Sequence, residues 1–351
     1  MLNVCMIGHG MMGIWHSEAL QRTPDAVLHT VVGRAKPART SAESEAGPVT
    51  GRPQSSTETF ARRYGYKKWT TDLDEALADP EVDIVIIAGP SETHAEMALK
   101  SINAGKHTLV EIPIAMNLEG AETVVAAAKE KSVALGVVHP MRSRTDRHDM
   151  VRRVKAGEEK IHSVQGRFFI HRLQNVGATG LQRSWTDNIL WHHTTHLVDI
   201  GLWTVSGGDM STAEDRIRNV YAAYPAIEPR TGIPMELVVV IETHDDQTIV
   251  TTGSYYPRGY VYDTFVVTDR DSYRTDERRA TLTTGDGEQG IATEQENAEL
   301  IAPDFVEAVA TGREPHVPGW SVLPAMRVLH QVQEQWDARH GKQQVPGRPV
   351  V

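Results

Sequence analysis

The amino-acid sequence predicts an α/β chain: an N-terminal doubly wound parallel sheet, then an α+β domain built on an open, largely antiparallel sheet. Three observations carry that prediction. Short apolar runs alternate with helical stretches through the first 140 residues, a glycine-rich turn closes the first run, and beyond about residue 145 longer runs alternate apolar and polar residues.

In the first part, residues 3–7 form an apolar strand ending in Gly8-His9-Gly10-Met11-Met12-Gly13, and 14–22 follow as a helix. A second strand spans 27–32. The tract from Arg34 to Thr57 is rich in Ala, Pro, Ser, Thr and Gly and is long for a loop in a compact domain, so 35–56 reads as a mobile insertion. Alternation resumes with helix 57–64, a short strand near Lys68, helix 73–78, the apolar strand 82–88, helix 91–104 stopped by Gly105, strand 107–110, helix 118–131 and strand 134–138.

The second part opens with helix 146–156 and strand 163–171. An irregular stretch runs to Asp187, and an amphipathic helix follows over 189–205. Strands are expected at 218–224, 236–243, 248–255 and 261–268, with closing helices at 294–311 and 322–340. The alternation in Val238-Val239-Val240-Ile241-Glu242 and Ile249-Val250-Thr251-Thr252 suggests a sheet with one face on helices and one free to meet a partner. The expected domains are 1–140 and 141–341, with a loose tail over 342–351.

The chain has 351 residues, more than the roughly 250–300 that one core supports. A formal charge of −10 argues against nucleic acid as a partner, since phosphate binding needs a basic face. No apolar run approaches the ~20 residues of a membrane span, and the first residues lack the basic stretch of a secretory signal. The single cysteine, Cys5, excludes an intrachain disulfide and fits a reducing compartment, so a cytoplasmic location is expected.

Gly8-x-Gly10-x-x-Gly13 lies directly after a strand and opens a helix. Glycines there make the tight turn and admit a pyrophosphate to the helix N-terminus, with Met11 and Met12 in the turn. This is the fingerprint of a Rossmann dinucleotide site. An acid about 20 positions beyond the glycines would hold the ribose hydroxyls of NAD. Here Gly33 and Arg34 stand at that point, Lys36 and Arg39 follow, and the first acid is Glu43. A carboxylate repels a 2′-phosphate and a guanidinium binds it, so NADP is expected, with NAD possible. The alternative is that these basic residues are merely solvated. Glu111-Ile112-Pro113 ends the fifth strand, where it should border the nicotinamide.

The other dense signal is Trp185-Thr186-Asp187-Asn188-Ile189-Leu190-Trp191-His192-His193-Thr194-Thr195-His196-Leu197-Val198-Asp199. On a helix, His192, His196 and Asp199 share one face. Three readings stay open: a general base, His196, held by Asp199; a zinc pair at i, i+4; or core histidines. The base is preferred and no metal is expected, because no HExxH arrangement is present and hydride transfer needs no metal.

Taken together, these motifs resemble the glucose–fructose oxidoreductase / inositol dehydrogenase family. The resemblance is carried by the glycine turn, Gly89-Pro90 with Thr93-His94, Ala104-Gly105-Lys106-His107, Glu111-x-Pro113 and the His-x-x-Asp helix. It implies a nicotinamide-dependent dehydrogenase that forms homodimers or homotetramers through its open sheet, with Gly89, Pro90 and His94 also beside the cofactor. Two departures stand out: Ile112 replaces the family's usual lysine, and His192 its usual aspartate. The segments Val110-Glu111-Ile112-Pro113, Arg183-Ser184-Trp185-Thr186-Asp187 and Leu190-Trp191-His192-His193 look like a branch that shares both departures. That branch oxidises, with NADP, a dicarboxylic hydroxymuconic semialdehyde from aromatic-ring cleavage.

Such a substrate suits the residues. Aldehyde oxidation usually needs a nucleophilic cysteine, and Cys5 belongs to a buried strand. A semialdehyde closed on its own hydroxyl is a secondary alcohol, for which one base suffices. Arg142, Arg144, Arg172 and Arg183 are candidates for its carboxylates, and His139, Trp185 and His193 complete the expected substrate-binding set. The competing expectations are a sugar, inositol or dihydrodiol dehydrogenase, and a non-catalytic NADP-binding regulator.

Overall fold

The computed structural model describes residues 1–33, 56–175 and 184–341. Two compact units divide the chain: Met1–His139 with Ala298–Trp320, and Pro140–Gln174, Ser184–Asn297 and the segment from Ser321 onward.

In the first unit, β1 (Leu2–Ile7), β2 (Ala26–Val32), β3 (Lys68–Thr70), β4 (Ile84–Ile87), β5 (His107–Glu111) and β6 (Leu135–Val138) form one sheet in the order β3-β2-β1-β4-β5-β6. All five pairings are parallel. This is the doubly wound order expected from the strand–helix alternation, and the strand order reverses between β1 and β4. The central strands are buried on both sides: Val4, Cys5, Met6, Ile84, Val85 and Ile86 are wholly inaccessible. Their near-continuous apolar sequences follow from helices covering both faces.

The segment Ala298–Trp320 belongs to this unit, whereas the expected second domain ran unbroken from 141 to 341. Its helix Ile301–Thr311 places Phe305 in the first core, over Gly136 of β6. A Cβ on Gly136 would lie 2.7 Å from the Phe305 ring, and Val137 donates its N–H to the Val317 carbonyl at 2.9 Å. Burying a phenylalanine of this kind is typically worth about 3–5 kcal/mol against alanine. The expected helix 294–311 is in fact two, Glu294–Ala298 and Ile301–Thr311.

The second unit holds β7 (Ile161–Phe169), β8 (Ile217–Ala223), β9 (Glu236–Thr243), β10 (Thr248–Ser254), β11 (Val261–Thr268), β12 (Ser272–Asp276), β13 (Thr281–Thr284) and β14 (Gly287–Gly290). Their order is β14-β13-β12-β11-β7-β10-β9-β8, antiparallel throughout except β7 with β10. The last three strands were not expected; they are short and polar. One face of the sheet carries helix Thr195–Val205. The approach is close because glycines face it: a Cβ on Gly166 would meet Leu197 at 2.9 Å, and one on Gly201 would meet Ile249 at 2.6 Å. Among the described residues, no helix is long and apolar enough to cross a membrane.

Candidate active site

The first unit supplies the elements of a dinucleotide cleft at the β1/β4 reversal. Gly8 has φ +93°, and a Cβ there would stand 2.6 Å from the Ala88 carbonyl oxygen, so the turn closes on β4 only with glycine. A Cβ on Gly13 would lie 2.5 Å from the Gly8 oxygen. Gly10 is the N-cap of helix Met11–Leu20 and no side chain caps that end, which leaves its N–H groups to meet an anion. These residues fit a nicotinamide dinucleotide, whose pyrophosphate the turn and helix end would hold. Met11 and Met12 begin the helix and are half-buried.

Two carboxyl-end loops border the same crevice. His94 strings them together: its Nδ1 lies 2.7 Å from the Pro113 oxygen and its Nε2 lies 3.1 Å from the Gly89 oxygen. His94 thus fixes the Gly89-Pro90 loop against the Glu111-Ile112-Pro113 turn and is itself buried. Glu111 hydrogen-bonds His16 Nε2 at 2.8 Å, tying β5 to the helix behind the glycine turn. Ile112 is buried with 6% exposure, and the Ile112–Pro113 bond is cis. Arg34 and Lys36, expected at the 2′-phosphate, lie outside the described residues.

In the second unit, the expected helix 189–205 begins as a π-helix over Ile189–Thr194 and continues as an α-helix over Thr195–Val205. Asn188 caps it, accepting from Leu190 and Trp191 N–H at 2.9 and 3.1 Å. Thr194 Oγ1 donates to the Ile189 carbonyl, five residues back, at 2.8 Å. Asp187, just before the cap, sets its carboxylate on Nδ1 of His192. π-turns inside helices are frequent at functional sites because they re-aim side chains.

From 189 to 205 every residue is buried except His192 and His196, whose ring centroids lie 6.3 Å apart. His193 points inward: it stacks on His192 at 4.2 Å, packs on Phe168 at 4.1 Å, and its Nδ1 hydrogen-bonds Tyr255 Oη at 2.7 Å. Arg172 lies over the Tyr255 ring, 5.6 Å from its centroid, and remains half-buried. Phe168 continues the wall to Tyr260 and Tyr262, and burial pushes both phenols well above their ordinary range, keeping them protonated donors.

The structure revises several expected roles. Asp199, expected to orient His196, accepts with both oxygens from Arg142, from Nε at 2.6 Å and from the terminal nitrogen at 2.5 Å. Arg142 also donates to Ser321, so this arginine, 2% exposed, is held inside the core rather than offered to a substrate. Arg144 is buried too and donates to Glu277 at 2.8 Å. Trp185 is 3% exposed and packs 6.0 Å from Tyr255, and His139 is wholly buried at the end of β6 in the first unit. Arg183 lies outside the described residues. Of the expected carboxylate binders, Arg172 remains beside the histidines. Asp187, Tyr255 and Phe168 escaped the sequence reading, since Asp187 matches His192 only at a five-residue spacing and the aromatics come from strands distant in sequence.

Residues 2–139 match the GFO_IDH_MocA model, described as an oxidoreductase family with an NAD-binding Rossmann fold, and 146–293 match the C-terminal domain of bacterial oxidoreductases. The chain belongs to the GFO_IDH_MocA oxidoreductase family. Over 339 residues, 95% of this chain and 98% of the relative, it is 29% identical to 4-carboxy-2-hydroxymuconate-6-semialdehyde dehydrogenase of Sphingobium sp. SYK-6. Over 132 residues, 38% of this chain and 31% of the relative, it is 35% identical to levoglucosan dehydrogenase of Pseudarthrobacter phenanthrenivorans. A solved levoglucosan dehydrogenase complex with NADH and levoglucosan shares the fold, with TM-score 0.74, 19% identity and coverage of 95% and 96% of the two chains. This GFO_IDH_MocA member is an oxidoreductase with the NAD-binding Rossmann fold of that family.

Proposed function

We propose that this family member oxidises, with NADP, the cyclic hemiacetal of 4-carboxy-2-hydroxymuconate-6-semialdehyde to the lactone 2-pyrone-4,6-dicarboxylate. The observation that carries this reading is the state of the only thiol. Cys5 lies in the middle of β1 with no accessible surface, and burial pushes its pKa up to about 12. A thiohemiacetal route is closed to such a cysteine, so an aldehyde oxidised here reacts in an alcohol form that needs no thiol, and a semialdehyde able to close on its own hydroxyl supplies one as the cyclic hemiacetal. The similarity to the semialdehyde dehydrogenase along nearly the whole of both chains supports that choice.

A bound oxidised nicotinamide supplies a two-electron hydride acceptor. The chain itself supplies the base. With Asp187 accepting from Nδ1–H, the neutral His192 carries its lone pair on Nε2, ready to take the hemiacetal O–H proton as the C–H bond breaks and the C=O bond forms. His196, one turn on with its ring centroid 6.3 Å from that of His192, would hold the same oxygen or a neighbouring carboxylate. Arg172 provides a cation for a carboxylate. In this reading His192 and Asp187 together retain the carboxylate that the family ordinarily has at position 192.

The outer face of the second sheet, with Val238, Val240, Val250 and Phe265 only half-buried, supports assembly of copies into a homodimer or homotetramer, which sedimentation velocity tests. Steady-state NADPH formation is the test of the reaction, with the enzymatic 4,5-cleavage product of protocatechuate set against inositol, glucose and levoglucosan. Efficient turnover of polyols without turnover of the semialdehyde assigns the chain to the sugar dehydrogenases of the family. Cofactor binding without turnover of any of them assigns it to non-catalytic regulators.

A further inference from the structure

The position that selects between NAD and NADP in this fold lies at the end of β2, where a carboxylate about 20 residues beyond the glycines holds the ribose diol. In this chain that position is Gly33, which follows Val32 directly and donates its N–H to the Thr70 carbonyl at 3.1 Å. The space a side chain would need there is already filled. A Cβ on Gly33 would stand 1.9 Å from Thr57 Oγ1, 2.8 Å from Thr57 Cγ2 and 2.8 Å from His9 Nε2. Thr57 is β-branched, so two of its three staggered rotamers keep a methyl or a hydroxyl at the closest point.

Neither neighbour is loose. Thr57 opens helix Thr57–Tyr64, which Ser56 caps and which buries Phe60, Ala61 and Tyr64 in the first core. His9 sits in the glycine turn with its ring 5.4 Å from Phe60, and its Nε2 shares a hydrogen bond of 3.2 Å with Thr57 Oγ1. The turn, the end of β2 and the next described helix therefore meet at one point, and an uncharged hydroxyl–imidazole pair stands there.

We infer that Thr57 and His9 occupy the seat of the ribose-binding carboxylate, read the cofactor's 2′ position in its place, and bar an acid from position 33. With His9 Nε2 paired to its oxygen, the Thr57 hydroxyl is left to donate to a 2′-phosphate, whereas a carboxylate repels it. Changing cofactor preference toward NAD then requires emptying the seat as well as adding the acid. The inference rests on the reading that this cleft binds a nicotinamide dinucleotide.

The test is calorimetric titration of the full chain with 2′,5′-ADP and 5′-AMP, and fluorescence titration with NADPH and NADH, each variant's melting temperature being recorded. Thr57→Ala is expected to weaken 2′,5′-ADP about tenfold while 5′-AMP changes less than twofold, as for one lost hydrogen bond to a charged group. Gly33→Asp alone should weaken NADPH and NADH together. Gly33→Asp combined with Thr57→Ala should restore NADH and reverse the preference. A native-like melting temperature with reversed preference in Gly33→Asp alone overturns the inference, as does an unchanged 2′,5′-ADP to 5′-AMP ratio in Thr57→Ala. If Gly33→Asp does not fold, the Thr57→Ala ratio decides by itself. Wild-type protein that binds neither NADPH nor NADH overturns the cofactor reading and this inference with it, whereas bound cofactor with a reversed single variant overturns the seat alone.

Discussion

The Asp187 carboxylate, just before the Asn188 cap, meets Nδ1 of His192, five residues on in the first turn of the helix. A carboxylate so placed fixes the tautomer and ring orientation of the imidazole. His192→Ala should therefore lower kcat about 10²–10⁴-fold, the usual scale for a lost general base, with NADPH binding retained. Asp187→Asn should lower kcat with little change in KM. If His196→Ala loses as much as His192→Ala while Asp187→Asn is silent, the proton goes to His196.

Arg142 and Asp199 form a buried, doubly hydrogen-bonded pair with 2% and 0% side-chain exposure. Removing one partner of such a pair leaves a charge uncompensated and typically costs about 3–5 kcal/mol. Arg142→Ala and Asp199→Ala are each expected to lower the melting temperature by many degrees. A melting temperature unchanged in Arg142→Ala, with a raised KM, would return this arginine to the substrate.

Arg172 makes the opposite prediction. Its guanidinium is half-buried over Tyr255 and lies near the surface of the histidine wall. Arg172→Ala should raise KM for a dicarboxylate roughly 10- to 100-fold, matching the ~1.5–3 kcal/mol of a charge-assisted hydrogen bond, and leave the melting temperature nearly unchanged. Comparing analogues that lack one carboxylate identifies which group it holds.

The thiol of Cys5 gives a pH test. Its pKa is raised from 9.0 to about 12 by burial, so the folded chain keeps it protonated where an unfolded chain would ionise it. Folded protein should resist iodoacetamide at pH 9 and react stoichiometrically in denaturant. The sign for stability follows: the contribution is whole below pH 9, where neither state ionises, and is lost as pH rises from 9 toward 12. Rapid alkylation of the native protein together with loss of turnover would reopen the thiohemiacetal route.

Much of the fold was legible in the chain. The alternation of strands and helices, the glycine turn after the first strand and the two-residue periodicity of strands such as β9 and β10 express local geometry, so the parallel and antiparallel sheets could be read without tertiary information. The expected face of His192, His196 and Asp199 divides in the structure: the two histidines are half-buried and Asp199 is fully buried. The short polar strands β12–β14 were not legible, since their sequences carry no apolar repeat and pair only because β11 offers an edge.

By itself the sequence determined which residues could do chemistry: a glycine turn fit for a pyrophosphate, three histidines near a carboxylate, one cysteine in an apolar strand. Only the tertiary structure decided how they pair. It gave Asp199 to Arg142, Glu277 to Arg144, Asp187 to His192 and the Gly33 seat to Thr57 and His9. The reason is physical: a charged group taken from water must find a partner within hydrogen-bond reach. Which partner is near depends on helix register and on the crossing of segments far apart in the chain, neither of which residue spacing records.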